Sequence, residues 1–235
     1  MIETLTLFGQ NISLYYLFWF IGAVTVLILG CQIGKQLEIS FARCVIYIAG
    51  ALFLGYVLLW GTSWVFGGGK MIGLNFIRIV IFMPVPVYLL TRLFGDSFGK
   101  LMDLVAPLLA VFHGVTHLGC IFPGCCHGYP SNWGLYSNNA ETVCFPIQPI
   151  EAVSSILVGV VLLIMMRKQV QTGRLYAWYL LLYGGTRFIW EFFRNNEKIW
   201  MGISELAVHA MAACIIGLTA LLILMVRDKR RRHHE

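Results

Sequence analysis

The sequence predicts an all-α integral membrane protein of about seven transmembrane helices, with its N-terminus outside and its C-terminus cytoplasmic. Three observations lead there. The 235 residues are 59% hydrophobic and only 12% charged, whereas a soluble domain is about 25% charged and about 45–50% apolar. Such a chain has too little polar surface to cover a water-soluble globule, which excludes a soluble enzyme, a disordered protein and a collagen-like chain. The apolar residues fall into runs near the ~20 residues that cross a bilayer as a helix. The basic residues that give the net charge of +6 sit between those runs with a strong bias to one side.

The runs lie near Ile12–Gly34, Phe41–Phe66, Ile72–Phe94, Leu101–Cys120, Gln148–Met166, Gly173–Phe193 and Ser204–Val226. The first does not read as a cleavable signal, because Met1–Asn11 holds Glu3 and no Lys or Arg where a secretory signal opens on basic residues. The fourth is the weakest. It contains Pro107, Gly114 and two histidines, and is expected to bend or to end inside the membrane against other helices. Twelve of the 17 Lys and Arg residues flank the first, third and fifth connections and the tail after Val226. Lys70, Arg194 and Lys198 fall on the opposite side, and Arg78 and Arg187 lie within runs. Lys and Arg accumulate on the cytoplasmic side, which orients the chain. Residues 227–235 read as a basic tail against anionic headgroups. No aromatic–basic interleaving accompanies it, so nucleic acid is not an expected partner. The connection His127–Ile147 lacks Lys and Arg and carries the turn formers Tyr129-Pro130-Ser131-Asn132 and Ser137-Asn138-Asn139. It is the longest outer loop. No repeat or low-complexity segment divides the chain, so residues 1–235 read as one polytopic domain.

The polar residues inside apolar runs carry the functional signal, since each costs at least a few kcal/mol in a membrane and so faces a cavity or a partner. Tyr183, Arg187 and Glu191 follow i, i+4, i+8 spacing and share a helix face. Two readings stay open for Arg187: a structural Arg–Glu pair, or an anion site where its fork meets phosphate oxygens. His113 and His117 also lie four apart, followed by Cys120, Cys125, Cys126 and His127. Their readings are a proton-transfer or nucleophilic role for His113, His117 or Cys120, a disulfide from Cys125 or Cys126 to Cys144, or packing. The C-x4-C-C-H spacing is not that of a standard zinc finger, and no metal or other cofactor is assigned. Cys31, Cys44 and Cys214 read as buried packing residues. Asp103 reads as complementing the dipole at its own helix start, and Glu151 as a cap-region carboxylate or a member of a polar cavity. Gly67-Gly68-Gly69-Lys70 is a flexible outer loop with a basic end.

The order of these pieces resembles the prolipoprotein diacylglyceryl transferase family of bacterial inner membranes. The matching residues are Tyr15, the glycine loop, Asp103-x-x-Ala106-Pro107, Gly119 to Gly128, Trp133-Gly134, Pro146-x-Gln148-x-x-Glu151 and Tyr183-Gly184-x-x-Arg187-Phe188-x-x-Glu191-Phe192-x-Arg194. The resemblance implies seven helices, a multi-pass protein of the bacterial cytoplasmic membrane, and transfer of diacylglyceryl from phosphatidylglycerol to a prolipoprotein cysteine with loss of glycerol 1-phosphate. It implies that Arg187 binds the lipid phosphate beside Tyr183 and Glu191, and that Tyr15 lines the lipid site. Lys70, Glu151 and Arg194 join them as candidate binding residues, and His113, His117, Cys120 and Glu191 are the candidate catalytic groups. The chain departs from the family's central signature: His117 stands where that signature has Arg, Cys120 and Pro123 where it has Asn, and Cys125 where it has Glu. A related acceptor, another anionic phospholipid, an inactive phospholipid- or lipoprotein-binding protein, and a thiol or metal redox protein are the alternatives those replacements raise.

Overall fold

The computed structural model describes residues 4–7, 10–70, 75–168, 172–200 and 202–232. A short hairpin, β1 (Thr4–Leu7) and β2 (Gln10–Ser13), leads into α1 (Leu14–Gln36) and α2 (Phe41–Phe66). Next come α3 (Phe76–Phe82), α4 (Pro84–Phe94) and α5 (Phe98–Gly119). A second hairpin, β3 (Pro130–Ser137) and β4 (Thr142–Cys144), precedes α6 (Ile147–Arg167) and α7 (Leu175–Glu191). The short pair β5 (Lys198–Trp200) and β6 (Ile203–Ser204) leads into α8 (Glu205–Arg232). Of the sequence expectations, Ile72 and part of Met1–Asn11 lie outside the described residues, as do tail residues 233–235.

Over its described residues each of the seven apolar runs is largely helical, and the chain is a multi-pass membrane protein. Five helices, α1, α2, α5, α6 and α8, are long and apolar enough to cross a bilayer, and the α3–α4 pair makes a sixth if counted as one span. Helix α7, at 17 residues, is about 26 Å long at 1.5 Å per residue. The break falls in the third run and not, as expected, in the fourth. Helices α3 and α4 meet at 44° because Pro84 has no N–H to continue α3, and Met83 serves both as the C-cap of α3 and as the N-cap of α4. Pro107 leaves α5 unbroken. There the tightly packed neighbours hold the helix around the missing hydrogen bond.

Helix α5 is the axis of the molecule, packed against α1, α6 and α7. Its apolar window is 83% buried, against 17 to 33% for the other four long helices. Those helices turn Phe20, Phe53, Leu157 and Ile223 outward, as lipid-solvated surfaces do, while α5 keeps its polar groups inside. The α5–α6 contact needs Gly114: a Cβ there would stand 2.5 Å from Ile156 Cγ1 and 2.8 Å from the Ala152 carbonyl oxygen. Arg78, fully buried on α3, is held by Glu205 at 2.9 Å and by the Phe66 ring at 4.7 Å. Asp103 does not serve its own helix start. Its carboxylate accepts N–H bonds from Gly173 (2.6 Å) and Leu175 (3.0 Å) and so caps the start of α7. All seven cysteines are free, so the bridge from Cys125 or Cys126 to Cys144 is not formed. Cys144 Sγ lies 3.8 Å from His127 Nδ1 instead. Cys44 is buried as expected, whereas Cys31 and Cys214 are half-buried.

Candidate functional site

Between α1, α5, α6 and α7 lies a cavity of about 480 Å³. The N-terminal turns of α6 meet the last turns of α5 and α7 there, and the groups they contribute are polar or charged. Glu151 is the centre. Its Oε1 is 2.8 Å from Arg187 Nη1 and 3.0 Å from Arg194 Nε, and its Oε2 is 2.9 Å from His117 Nε2. Arg187 Nη1 also lies 2.8 Å from Glu191 Oε2 across one helical turn. The four charged side chains are nearly fully buried and sum to zero, which is how a low-dielectric site keeps ions at all. Only the Arg187–Glu151 contact is an aligned hydrogen bond. Arg194 Nε, Glu151 Oε2 and Glu191 Oε2 are close to opposite charge yet have no hydrogen-bond partner, so hydrogen-bonding capacity remains for a ligand.

The backbone explains why Arg194 reaches this point although it lies beyond the end of α7. Residues after α7 run antiparallel to the loop after α5: Gly128 bridges Arg194, Tyr129 N–H donates to Phe193 O at 3.2 Å, and Asn195 N–H to His127 O at 3.3 Å. Glu191 is fixed from behind by the Ser204 hydroxyl at 2.7 Å and by the Asn196 amide. It faces Arg187 and does not line the cavity. The candidate catalytic Glu191 thus pairs with Arg187 behind the cavity wall, and both open readings of Arg187 meet in one residue: it is paired with carboxylates and it also lines the cavity.

The two histidines differ. His113 has Nδ1 3.1 Å from Ser155 Oγ and Nε2 3.4 Å from the Tyr183 hydroxyl, and its ring lies against Phe76 and His117. His117 Nε2 faces Glu151 and, at 3.4 Å, Arg194 Nη2. Cys120, Cys125 and Cys126 complete one wall. Hydrogen bonds from the Cys120 and Cys125 thiols, with the positive charge of Arg194 nearby, hold the Cys126 thiol well below the usual thiol range despite its burial.

Of the candidate residues, Tyr15, His113, His117, Cys120, Glu151, Tyr183, Arg187 and Arg194 all line this cavity. Lys70 does not. It is exposed at the turn after α2 and is not among the residues that line the cavity. Sequence reasoning missed Asn75, Thr116 and Asn196, which also line the cavity. Thr116 shares the α5 face of His113 and carried a signal in its spacing, whereas Asn75 and Asn196 are loop residues with none. A second, almost wholly apolar cavity of about 220 Å³ lies alongside and shares Trp19, Leu59 and Phe76 with the first.

Residues 3–226 match the family model described as prolipoprotein diacylglyceryl transferase. The phosphatidylglycerol–prolipoprotein diacylglyceryl transferase of Idiomarina loihiensis is 30% identical over 226 residues, covering 92% of this chain and 76% of the relative. Those of Clostridium tetani and Clostridium perfringens are each 30% identical over 121 and 125 residues. The chain spans about half the length of these two curated relatives, 49% in each case. With nearly its whole length matched and the charged constellation of α6 and α7 in place, the chain belongs to the prolipoprotein diacylglyceryl transferase family.

Proposed function

We propose that the protein transfers diacylglyceryl from phosphatidylglycerol, or a closely related anionic phospholipid, to the cysteine thiol of a prolipoprotein. One observation carries this reading: a charged cavity and an apolar one share the wall made by Trp19, Leu59 and Phe76. A ligand with an anionic head and acyl chains fits that pair as a small polar metabolite does not. Arg187 and Arg194 are the groups for the phosphate, shifting hydrogen bonds from Glu151 to the incoming oxygens. The thiol attacks the glycerol carbon bearing phosphate, the carbon–oxygen bond breaks, and glycerol 1-phosphate leaves. His117 is the proton acceptor, since it lies beside the carboxylate that orients it and lines the cavity, whereas both nitrogens of His113 are engaged.

Seven spans in a bacterial cytoplasmic membrane, N-terminus outside, complete the reading. The basic bias supports the orientation. The ion pairs Arg43–Asp96, Lys100–Glu38 and Arg174–Asp228 support it too, because they gather the ends assigned to the cytoplasm on one face.

The test incubates detergent-purified protein with phosphatidylglycerol and a lipobox peptide and weighs the peptide by mass spectrometry. The expected result is a diacylglyceryl mass gain on cysteine that is lost in Arg187→Lys, which keeps the charge but not the fork. No gain, in a mixture where another family transferase is active, overturns the reading and leaves a phospholipid-binding protein without this reaction.

A further inference from the structure

The same cavity holds a set of groups that phosphate binding leaves unused. The sulfurs of Cys120, Cys125 and Cys126 lie within 4.8 Å of one another. They are brought together by a tight turn at the end of α5, closed by Cys120 N–H to His117 O at 3.1 Å and Gly124 N–H to Ile121 O at 3.2 Å. Gly124 and Cys126 both take left-handed backbone, φ 69° and φ 59°. For a residue with a Cβ that conformation costs about 1–2 kcal/mol, and it is held here by outside braces. The Ser137 hydroxyl donates to Gly124 O at 2.8 Å and the Gln148 amide to Cys125 O at 3.0 Å. The three sulfurs thus sit on a buttressed backbone, pointed at one place.

The chemistry of that place is narrow. A tetrahedral ion bound at about 2.3 Å from each sulfur sets the sulfurs about 3.8 Å apart, and the trio already lies within 4.8 Å. Three thiolates select a thiophilic ion over magnesium or calcium. Arg194, whose positive charge acts on Cys126, offsets the single negative charge of a divalent ion bound to three thiolates. A neighbouring group, His113, His117 and Glu151, also has its ligand atoms within 4.8 Å, but Arg187 and Arg194 occupy that carboxylate and two guanidiniums repel a cation.

We propose that Cys120, Cys125 and Cys126 bind a thiophilic divalent cation, zinc by preference, with a fourth position open to the cavity that takes the acceptor thiol as its thiolate. Three protein ligands with an open position is the arrangement of catalytic rather than structural zinc. The second half of this proposal rests on the transferase reading. The acceptor S–H gives its proton to His117 as the sulfur binds the ion. The sulfur's electron pair then forms the bond to the glycerol carbon, and the carbon–oxygen electrons leave on glycerol 1-phosphate, which takes the proton from His117. The neutral thioether dissociates, and the ion ends in the oxidation state in which it began. A rebuilt centre would in this way activate the thiol by coordination.

The experiment loads the purified full-length protein with zinc under reducing conditions, removes the excess and measures metal per chain. A second sample receives cobalt, whose thiolate charge-transfer absorbance reports sulfur ligands. One ion per chain is expected, lost in Cys120→Ser, Cys125→Ser and Cys126→Ser and kept in Cys144→Ser. In the unmutated protein, zinc should protect three of the seven thiols from alkylation and a chelator should release them, a readout that does not depend on any variant folding. Absence of stoichiometric metal, equal binding by the three variants, or a disulfide within the trio in place of metal overturns the site. Peptide lipidation separates the two readings. Full transfer by metal-free protein removes the activating role and leaves the transferase standing. One bound zinc with no transfer upholds the site and removes the transferase.

Discussion

Asp103 and Glu151 are buried carboxylates on adjoining helices, each about 2% exposed, and they are solved in opposite ways. Asp103 is met by backbone: the Gly173 and Leu175 amides close over both of its oxygens. Glu151 is met by side chains alone, two guanidiniums and an imidazole, and its cluster lines a cavity. Backbone donors cannot leave, so Asp103 is a fixed strut that ties α5 to the start of α7. Side-chain donors can turn to a ligand, so in the proposed reaction Glu151 is the counter-ion that releases its partners to an incoming phosphate. Equal burial thus separates into a structural and a functional role according to what supplies the donors.

The largest break of this comparison is Glu151→Ala. It strands Arg187 and Arg194 without their shared counter-ion, and removing one partner of a buried pair costs about 3–5 kcal/mol. Thermal unfolding in detergent should show that loss. Glu151→Gln keeps the shape, should fold, and should lose lipid transfer per folded molecule. Asp103→Asn comes next. It weakens two charge-assisted bonds, worth about 1.5–3 kcal/mol each, so the unfolding temperature should drop while the folded fraction retains transfer. If Asp103→Asn abolished transfer in folded protein while Glu151→Gln left it intact, the assigned roles would be reversed.

Gly114→Ala sharpens the same point through the α5–α6 contact that carries both carboxylates. Alanine gains about 1 kcal/mol of helix propensity over glycine. Its Cβ, however, would stand 2.8 Å from the Ala152 carbonyl, a backbone atom that yields only if α6 moves as a whole, and overpacking costs about 1–3 kcal/mol. The expected outcome is net destabilisation that Ile156→Ala relieves only in part, since it clears the 2.5 Å side-chain clash but not the carbonyl. Complete rescue would show that α6 moves easily and that its register does not set the site.

How much of this was legible in the chain follows from the range of each force. Lipid demands runs of about 20 apolar residues, so the apolar runs that hold the helices stand out, and Arg187, Glu151, Tyr183, His113 and His117 stand out as polar groups inside or at the ends of those runs. Pro84 and Pro86 carried the α3–α4 break, but the hydropathy of the run masked them. The three hairpins have strands of two to eight residues, mostly too short for a period-2 pattern to show. Pairings were the least legible. Asp103 finds its donors 70 and 72 residues away, and Arg187 finds Glu151 36 residues away. The cysteine trio was visible only as a spacing that fits no standard finger, because a left-handed Cys126 brings the sulfurs together and sequence does not print dihedral angles.

The smallest predicted effect belongs to the residue that sequence and structure place differently. Lys70 ends the glycine loop and has a charge suited to phosphate, but it is exposed and off the cavity wall. A surface substitution away from packed or paired groups stays within about 0.5 kcal/mol, and an exposed charge screened by water adds little to a buried anion site. Lys70→Ala should therefore leave both unfolding temperature and lipid transfer near those of the unmodified protein at moderate salt. A loss of transfer approaching that of Arg187→Lys would mean that the loop folds over the cavity when lipid binds. Glu151 and its two arginines would then share the phosphate with a third cation that arrives only with the substrate.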